Sequence, residues 1–529
     1  MQFKRKIIAS LLVSSGVLGV AGQAAANDST ELEQLRALVQ ELDQKVKVLA
    51  RQSEIAAEDA TTKKKETPVV KASSSGFGLE SADGQNSIRF RGVLQSDYRS
   101  FSDGRSGIGA ISASAPAGFY PANEANNSFL IRRARPTVEG TLWGIYDFRF
   151  TPEFGEAKTS NSGSTSGIVD AYVDARFKPW FQVRAGKFKP YVGLERLQSA
   201  TDIKLIERSY VTNAILPNRD LGVALHGDVL DNKLNYAFGI MNGVPDGGDS
   251  PTSTTTINDR EYQARLFSTP FKDQDSALAG LGFGMATTYT DASGTFNSSG
   301  TTAGTVSNSD LTSGYKTEGQ QTFFQYTSAT YQSGRRFRWA PQAYYYYGPF
   351  GLMAEYVDES VKVNYDVPSN NQSVGVNQKT LNNNAWEITA SYLLTGEDAS
   401  FKGVKPKQNF DLDKGGWGAW EVVGRYDEIN LDNDTFKNFG TGGTLSTANA
   451  QRYFGDLRNS AKSAKTWVGG VNWYLNPNLK VALNYEQTRF DGGAGIGNPN
   501  ASVANGETPT NVTDRQEEKA VFARFQIAY

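Results

Sequence analysis

From about residue 86 to the last residue, segments of roughly ten residues alternate apolar and polar side chains. The turns between these segments are alternately short and long. Short turns include 178–180 and 476–478, whereas 102–127 and 291–319 are long and rich in Gly, Ser, Asn and Thr. Counting the hairpins gives about sixteen strands. An even strand number with short turns on one rim and long loops on the other predicts an all-β fold, a transmembrane antiparallel β-barrel, which must close because lipid cannot satisfy an open sheet edge.

The two faces of the last segment, KAVFARFQIAY, show what each side of this barrel meets. Val521, Phe525 and Tyr529 lie on an apolar face, and Arg524 and Gln526 lie on the other face. We therefore predict that one face meets lipid and the other a water-filled lumen, which explains a mean hydropathy of −0.46 in a membrane protein. The aromatic last residue on the apolar face resembles the terminal strand signal of outer-membrane proteins.

The N-terminal part differs from the rest of the chain. A basic start (Lys4, Arg5 and Lys6), an apolar stretch and Ala24–Ala26 predict a signal peptide that is cleaved on export. A short heptad pattern follows, which predicts a coiled-coil helix. Its apolar positions are Leu32, Leu35, Val39, Leu42, Val46 and Leu49. An amphipathic surface helix, or a tether to peptidoglycan or another partner, is the alternative.

These patterns divide the chain into four predicted parts: a signal peptide (1–26), a short coiled-coil helix (27–52), a flexible linker (53–85) and a transmembrane barrel (86–529).

The composition excludes several classes of function. The chain has no cysteine and a formal net charge of −2, so disulfides are absent and no global charge favours nucleic acid. His226 is the one histidine, which excludes a multi-histidine metal site and leaves one possible histidine base for an outer-membrane hydrolase. We expect neither an enzyme nor a bound metal or cofactor.

Three arginines stand close together in FLIRRARPTVEGTLWGIYDFRF, residues 129–150. Alternation directs Arg133 and Arg135 into the lumen and Arg132 towards lipid, where an arginine is costly, so Arg132 either lies above the lipid at the end of its strand or is turned inward by a β-bulge. The alternative is that these arginines only pair with acidic residues along the lumen wall.

A second basic stretch lies between the strand that ends near Lys187 and the strand that begins at Asp220. It lacks alternation and forms the third long loop, which we expect to fold into the lumen. Its basic residues are Lys187, Lys189, Arg196, Lys204, Arg208 and Arg219. Basic side chains from this loop and the wall would form an anion-selective constriction.

An ordered set of motifs carries a resemblance to a known family. FLIRRARPTVEGTL, AGKFKPYVGLE, WAPQAYYYYGPFGLMAEY, GGWGAWEVVGRYD and the terminal FQIAY resemble the phosphate-selective porin O and P family of Gram-negative outer membranes. The resemblance covers about residues 85–529. It implies a sixteen-stranded outer-membrane barrel, usually a homotrimer, that takes up phosphate, polyphosphate or related small anions passively.

The resemblance also implies which residues bind the anion. The central site would consist of Arg132, Arg133, Asp170, Arg196, Ser199 and Arg208. Further residues that line the pore would be Arg135, Lys187, Lys189, Arg336, Arg338, Lys402 and Lys405. Arg336 and Arg338 would substitute for an extracellular arginine ladder, and the two lysines at 402 and 405 would belong to a periplasmic cluster. The alternative function is a general or organic-solute diffusion porin with little preference for phosphate.

Overall fold

The computed structural model describes the chain from residue 28, with gaps at a few internal segments. The described residues are 28–73, 76–102, 127–155, 167–250, 259–297, 305–307, 311–312, 314–365, 377–440, 452–496, 503–510 and 512–529. They fall into two compact units, one within 1–67 and one within 68–529. The predicted signal peptide lies outside the described residues.

The described part of the first unit forms one helix, α1, from Asp28 to Glu66. Its apolar seam is exposed, with Leu42 at 53 % and Leu49 at 63 % of full exposure. On its polar side Lys45 pairs with Glu41 at 2.6 Å, an i,i+4 ion pair that stabilises an exposed helix modestly. Within the described residues no helix is both long and apolar enough to cross a membrane.

The predicted flexible linker at 53–85 is wrong. The helix continues to Glu66 because residues 54–66 are mostly Ala, Glu, Asp and Lys with no Gly or Pro. After it, Val69–Ser73 pairs with Gly76–Glu80, and Phe77 and Leu79 of the second strand pair with Phe90 and Ile88 of the barrel. The β-branched and aromatic residues on both sides of the serine run favour strands.

The second unit is almost entirely β-structure. Its strands are β1 (Val69–Ser73), β2 (Gly76–Glu80), β3 (Ser87–Phe101), β4 (Ser128–Leu142), β5 (Tyr146–Glu153), β6 (Gly167–Lys178), β7 (Phe181–Phe188), β8 (Asp220–Val229), β9 (Leu234–Met241), β10 (Glu261–Ser268), β11 (Leu281–Ser293), β12 (Thr295–Asn297), β13 (Thr305–Ser307), β14 (Gly314–Lys316), β15 (Thr322–Gln325), β16 (Thr330–Tyr347), β17 (Phe350–Tyr365), β18 (Asn377–Leu393), β19 (Ala419–Asn430), β20 (Ser463–Asn476), β21 (Leu479–Asp491), β22 (Gly493–Ile496), β23 (Val512–Asp514) and β24 (Glu518–Ala528).

Sixteen of these strands form the barrel. β3 to β11, β16 to β21 and β24 pair antiparallel in chain order, and β24 pairs with β3, so the sheet closes. The predicted all-β, sixteen-stranded antiparallel barrel is confirmed. β2 extends β3 beyond the end of β24, and the pairs β12–β13, β14–β15 and β22–β23 are hairpins within the long loops. Four further short elements are the α-helix Leu194–Leu197, the π-helix Val211–Ile215 and the 3-10 helices Ala277–Gly280 and Asn433–Phe436.

The strand faces follow the predicted alternation. In β24, Val521 and Phe525 are 40 % and 45 % exposed on the outer surface, whereas Phe522 and Arg524 are buried inside the barrel. Aromatic side chains pack against each other on the outer face, as for Trp386 with Tyr426 at 5.3 Å between ring centroids. Such aromatic bands lie at the interfaces between lipid and water.

Two loop segments fill part of the lumen. The third long loop, residues 189–219, lies inside the barrel, where Tyr210 donates its backbone N–H to Asp427 of β19 at 3.0 Å. The hairpin β14–β15 also lies inside, and its Phe323 packs its ring 6.0 Å from that of Tyr210. The inward third loop agrees with the sequence analysis, whereas the inward hairpin does not follow from it, because 291–319 is so polar.

Candidate anion site in the lumen

A β-bulge in β4 turns both adjacent arginines into the barrel. Gln95 of β3 pairs with Arg133, the next residue Ser96 pairs with Ile131, and Arg132 is therefore the extra residue of the bulge. Arg132 and Arg133 are each only 4 % exposed. The bulge expected from the sequence is present, and it removes the conflict between strict alternation and a charged side chain in lipid.

The two arginines differ in their partners. Arg132 forms a two-pronged ion pair with Glu207 of the third loop, with N–O distances of 2.7 and 3.0 Å. Arg133 donates Nη1 to the neutral amide oxygen of Gln95 at 2.6 Å, and its Nε is buried without a hydrogen-bond partner. A carboxylate compensates the charge of Arg132, whereas the acceptor of Arg133 is neutral. Each arginine keeps one buried nitrogen without a partner, Nη1 of Arg132 and Nε of Arg133.

Arg196 and Arg208 bring two further guanidinium groups from the third loop. Arg196 donates to the side chain of Asn218 and the carbonyl oxygen of Thr212, and its Nε is buried without a partner. Arg208 donates to the carbonyl oxygens of Gln198 at 3.0 Å and of Glu195 at 3.4 Å. Every acceptor of these two arginines is neutral. Such contacts fix the side chains and leave their positive charge uncompensated.

Lysine, aspartate and serine residues complete the central group. Lys189 donates Nζ to the carbonyl oxygen of Gln198 at 2.6 Å, so it shares that acceptor with Arg208. Asp170 of β6 lies 3.5 Å from Nε of Arg219. Ser199 is exposed, and its Oγ lies 2.8 Å from Oγ1 of Thr201. Basic side chains therefore lie around the backbone of 195–198, with the Ser199 hydroxyl and the Glu195 carboxylate beside them.

The remaining predicted pore-lining residues have partners outside this central group. Arg135 pairs with Glu153 at 2.6 Å, and Lys187 donates to the carbonyl oxygen of Ser250. Lys402 and Lys405 are exposed on the long turn between β18 and β19, far along the chain from the bulge. The carbonyl oxygen of the neighbouring Phe401 accepts a hydrogen bond from the Gln198 amide at 3.0 Å, so this turn contacts the third loop.

The prediction that Arg336 and Arg338 substitute for an arginine ladder needs correction. Arg338 contacts three carboxylates, Asp246, Glu261 at 3.0 Å and Glu359 at 3.2 Å, and is fully buried. Arg336 shares Glu261 at 2.9 Å. Because Asp246 comes from the inward segment after β9, these arginines clamp that segment to the wall, and we call these five residues the acid-paired cluster.

Burial and neighbouring charges shift the pKa values of the loop residues. Burial, together with the positive charges of Arg219 and Arg208, lowers the pKa of the Lys189 ammonium well below its ordinary range. Burial also lowers the pKa of Arg208 to about 10. Mutual repulsion between cations in a site that excludes water is relieved by a bound anion, so the arrangement favours one.

Glu207 shows the opposite situation. Burial raises the pKa of its carboxyl group, but the guanidinium groups of Arg132 and Arg99 more than reverse this, and the pKa lies well below its usual range. Glu207 therefore remains a permanent counter-ion of the wall.

Two other observations bear on chemistry in the lumen. His226 places Nε2 at 2.9 Å from Asp174, which also accepts from Arg184, so the ring is held in an ion-pair network of the wall. Within the described part of the chain, no three His, Cys, Asp or Glu side chains are grouped so as to hold a metal ion.

Some residues of the site escaped the sequence analysis. Gln95 holds Arg133, and Asn218 holds both Arg196 and Arg219. The signal for Gln95 was available, since Gln95, Asp97 and Arg99 alternate with apolar or small residues on β3. No comparable pattern marks Asn218, because the third loop has no periodicity.

Comparison with known proteins shows which family this chain matches. Residues 110–492 match the family described as phosphate-selective porin O and P, which is more than half of the chain. Porin O of Pseudomonas aeruginosa is 24 % identical over 449 residues, which cover 79 % of this chain and 86 % of that protein.

Solved porin structures are similar at low sequence identity. The outer-membrane channel DcaP of Acinetobacter baumannii has 10 % identity and a TM-score of 0.46, covering 86 % of this chain and 100 % of its own. The anion-selective porin from Comamonas acidovorans has 11 % identity and a TM-score of 0.43, covering 84 % of this chain and 100 % of its own. The family match and the closed barrel together identify the chain: it belongs to the phosphate-selective porin O and P family and is a porin of the bacterial outer membrane.

Proposed function

We propose that the channel is anion-selective and takes up phosphate or polyphosphate through the basic group of the third loop and β4. The observation that carries the proposal is a set of buried cations whose side chains have neutral acceptors only. Among the described residues, no carboxylate oxygen lies within 4.0 Å of the cationic nitrogens of Arg133, Lys189, Arg196 or Arg208, the residues that we call the carboxylate-free cluster.

The chemistry of the cluster fits a tetrahedral oxyanion. Guanidinium groups offer planar pairs of donors that match phosphate geometry, and hydrogen bonds to a charged acceptor are stronger than those to a neutral one. Nε of Arg133 and Nε of Arg196 are buried without a hydrogen-bond partner, so each arginine keeps an unsatisfied donor. The ion must also leave, and the neutral acceptors around Arg208 and Lys189 let these side chains exchange one oxygen for another.

The experiment that tests the proposal uses the purified protein in a planar lipid bilayer. We expect a reversal potential that shows anion preference under a potassium chloride gradient, and a chloride current that falls as phosphate is added. Nitrate, a planar monovalent anion, at the same ionic strength is the control for a general salt effect. A cation preference, or a chloride current unaffected by phosphate, would favour the general or organic-solute diffusion porin instead.

We further propose that the protein is a homotrimer and that α1 contributes a coiled coil. The seam residues Leu35, Val39, Leu42 and Val46 are each more than half exposed in the single chain, and burial against other copies would remove this apolar surface from water. Chemical cross-linking of the full chain is expected to give trimers. Leu42→Glu on the seam should weaken them, and Gln44→Glu on the side opposite the seam should not.

A further inference from the structure

Arg425 is a lumen arginine that contacts the third loop at two residues far apart in that loop, Glu195 and Glu207. It lies in β19, which is separated from β4 around the barrel by β20, β21, β24 and β3. Its side chain is almost completely buried. From its position in an alternating strand, Arg425 is indistinguishable from the other arginines that face the lumen, so its contacts must decide what it does.

Two of these contacts reach the residues that flank the loop arginines. Nη1 of Arg425 donates to the Glu195 carboxylate at 3.2 Å, and Glu195 directly precedes Arg196. Nη2 donates to the carbonyl oxygen of Glu207 at 3.0 Å, and Glu207 directly precedes Arg208. One guanidinium group thus holds both ends of the segment that carries the two loop arginines.

Glu195 passes this constraint on to Arg208. Its second carboxylate oxygen accepts hydrogen bonds from the backbone N–H and the hydroxyl of Ser209, both at 3.0 Å, and its carbonyl oxygen accepts from Nε of Arg208. Glu355 of β17 accepts the backbone N–H of Glu195 at 2.7 Å. The backbone that presents Arg196 and Arg208 is therefore tied to the wall through ion pairs and hydrogen bonds, which are directional and short-ranged.

Arg425 also joins the third loop to the β14–β15 hairpin. Its Nη2 lies 2.5 Å from Glu318, which belongs to the turn of that hairpin, and its Nε lies 3.9 Å from Asp427. With three carboxylates around it, Arg425 has little charge left to offer a passing anion. This separates it from the carboxylate-free cluster.

We infer that Arg425 is a positioning residue for the anion site: it does not bind the anion but sets the geometry of Arg196 and Arg208 through Glu195 and the Glu207 carbonyl. The inference rests on the proposed function, because the geometry of these arginines matters only if they bind the permeating ion. A bound oxyanion needs its donors placed within a fraction of an ångström, so a loosened loop should weaken binding while the pore stays open.

The test compares Arg425→Gln with Arg338→Gln. Both arginines are buried in the lumen and contact three carboxylates, but the contacts of Arg338 lie on the segment after β9 and on the wall, not on the third loop. We expect Arg425→Gln to raise the phosphate concentration that halves the chloride current by about tenfold, with an open channel and an unchanged shift in electrophoretic mobility on heating. Arg338→Gln should leave that concentration within about twofold of wild type.

Two further variants make the result decisive. Glu195→Gln keeps every wall residue and removes the ion pair through which Arg425 holds the loop, and it also removes a negative charge close to Arg208. We expect the loss of positioning to outweigh the more positive potential, so phosphate block should weaken even if Arg425→Gln fails to fold. Arg425→Lys keeps the charge but cannot reach three acceptors at once. Its half-blocking phosphate concentration should therefore lie between those of wild type and Arg425→Gln.

Phosphate block equal to wild type in folded Arg425→Gln, or in Glu195→Gln, would overturn the inference and leave the proposed function standing. A wild-type channel that phosphate does not block would overturn the proposed function itself, and the two failures are thus separate.

Discussion

The carboxylate-free cluster and the acid-paired cluster contain the same kind of side chain in the same lumen, yet they are built for different tasks. Arg133 and Arg338 are both buried and both occupy inward positions of barrel strands. Arg338 is surrounded by Asp246, Glu261 and Glu359, whereas the acceptor of Arg133 is the neutral amide of Gln95. Burial and orientation therefore do not identify a binding arginine, because the charge of its partners decides whether an anion is attracted.

Arg338→Gln should lower stability strongly and leave phosphate block almost unchanged. It leaves three carboxylates buried near one another with only Arg336 to compensate them, and breaking a buried ion pair from one side costs about 3–5 kcal/mol. Equilibrium unfolding in denaturant should show this loss, while the half-blocking phosphate concentration should change little. A weakened phosphate block with unchanged stability would contradict the distinction between the clusters.

Arg133→Ala should give the largest effect on phosphate binding. Loss of this charged donor should weaken the free energy of phosphate binding by roughly 1.5–3 kcal/mol. The half-blocking phosphate concentration then rises about tenfold to 150-fold. The measurement is the titration of phosphate into the chloride current. Arg335→Ala is a matched control, because that arginine is exposed on β16. Equal effects of the two substitutions would mean that only net charge matters.

Glu207→Gln sharpens the comparison because it changes Arg132 from an arginine paired with a carboxylate into one without that partner. The substitution removes the carboxylate that pairs with Arg132 at 2.7 Å and keeps the size of the side chain. We expect phosphate to block at a concentration about threefold to tenfold lower than in wild type, because one more guanidinium group becomes uncompensated. Weaker block would show instead that Glu207 is needed to hold the loop.

The pH dependence of oxyanion block should reveal the loss of the proton from Lys189. Because burial and neighbouring cations lower its pKa, Lys189 loses its proton at a lower pH than an exposed lysine does. Its attraction for anions is then present at acidic pH and is lost as the pH rises through the lowered pKa. We expect block measured with sulfate, whose charge is constant in this range, to weaken by about twofold to fivefold on the alkaline side. Lys189→Met should remove this dependence. An unchanged dependence would assign it to another group.

The barrel itself was predictable because lipid and water impose a strict rule on every strand. The alternation in β24 and the bulge at Arg132 both follow from the cost of placing charge in lipid, a cost that acts locally and is visible in a few residues. The same reasoning placed Arg133 and Arg135 in the lumen.

The partners of the arginines were not predictable in this way. Arg132 and Glu207 are 75 residues apart in the chain, and Arg338 and Asp246 are 92 apart. Such pairs depend on how a loop without periodicity crosses the lumen, and no local pattern encodes that path. The inward β14–β15 hairpin was missed for the same reason, since its apolar residues Tyr315, Phe323 and Phe324 are few and lie beside a long polar stretch.

The most direct test of the account is a crystal structure of the protein with arsenate, a phosphate analogue that can be located by its anomalous scattering. The account predicts an arsenate within hydrogen-bond distance of Arg133 or of the loop arginines Arg196 and Arg208, and none at Arg336 and Arg338. Arsenate bound at the acid-paired cluster, or no arsenate at the carboxylate-free cluster at a concentration that blocks the current, would contradict it.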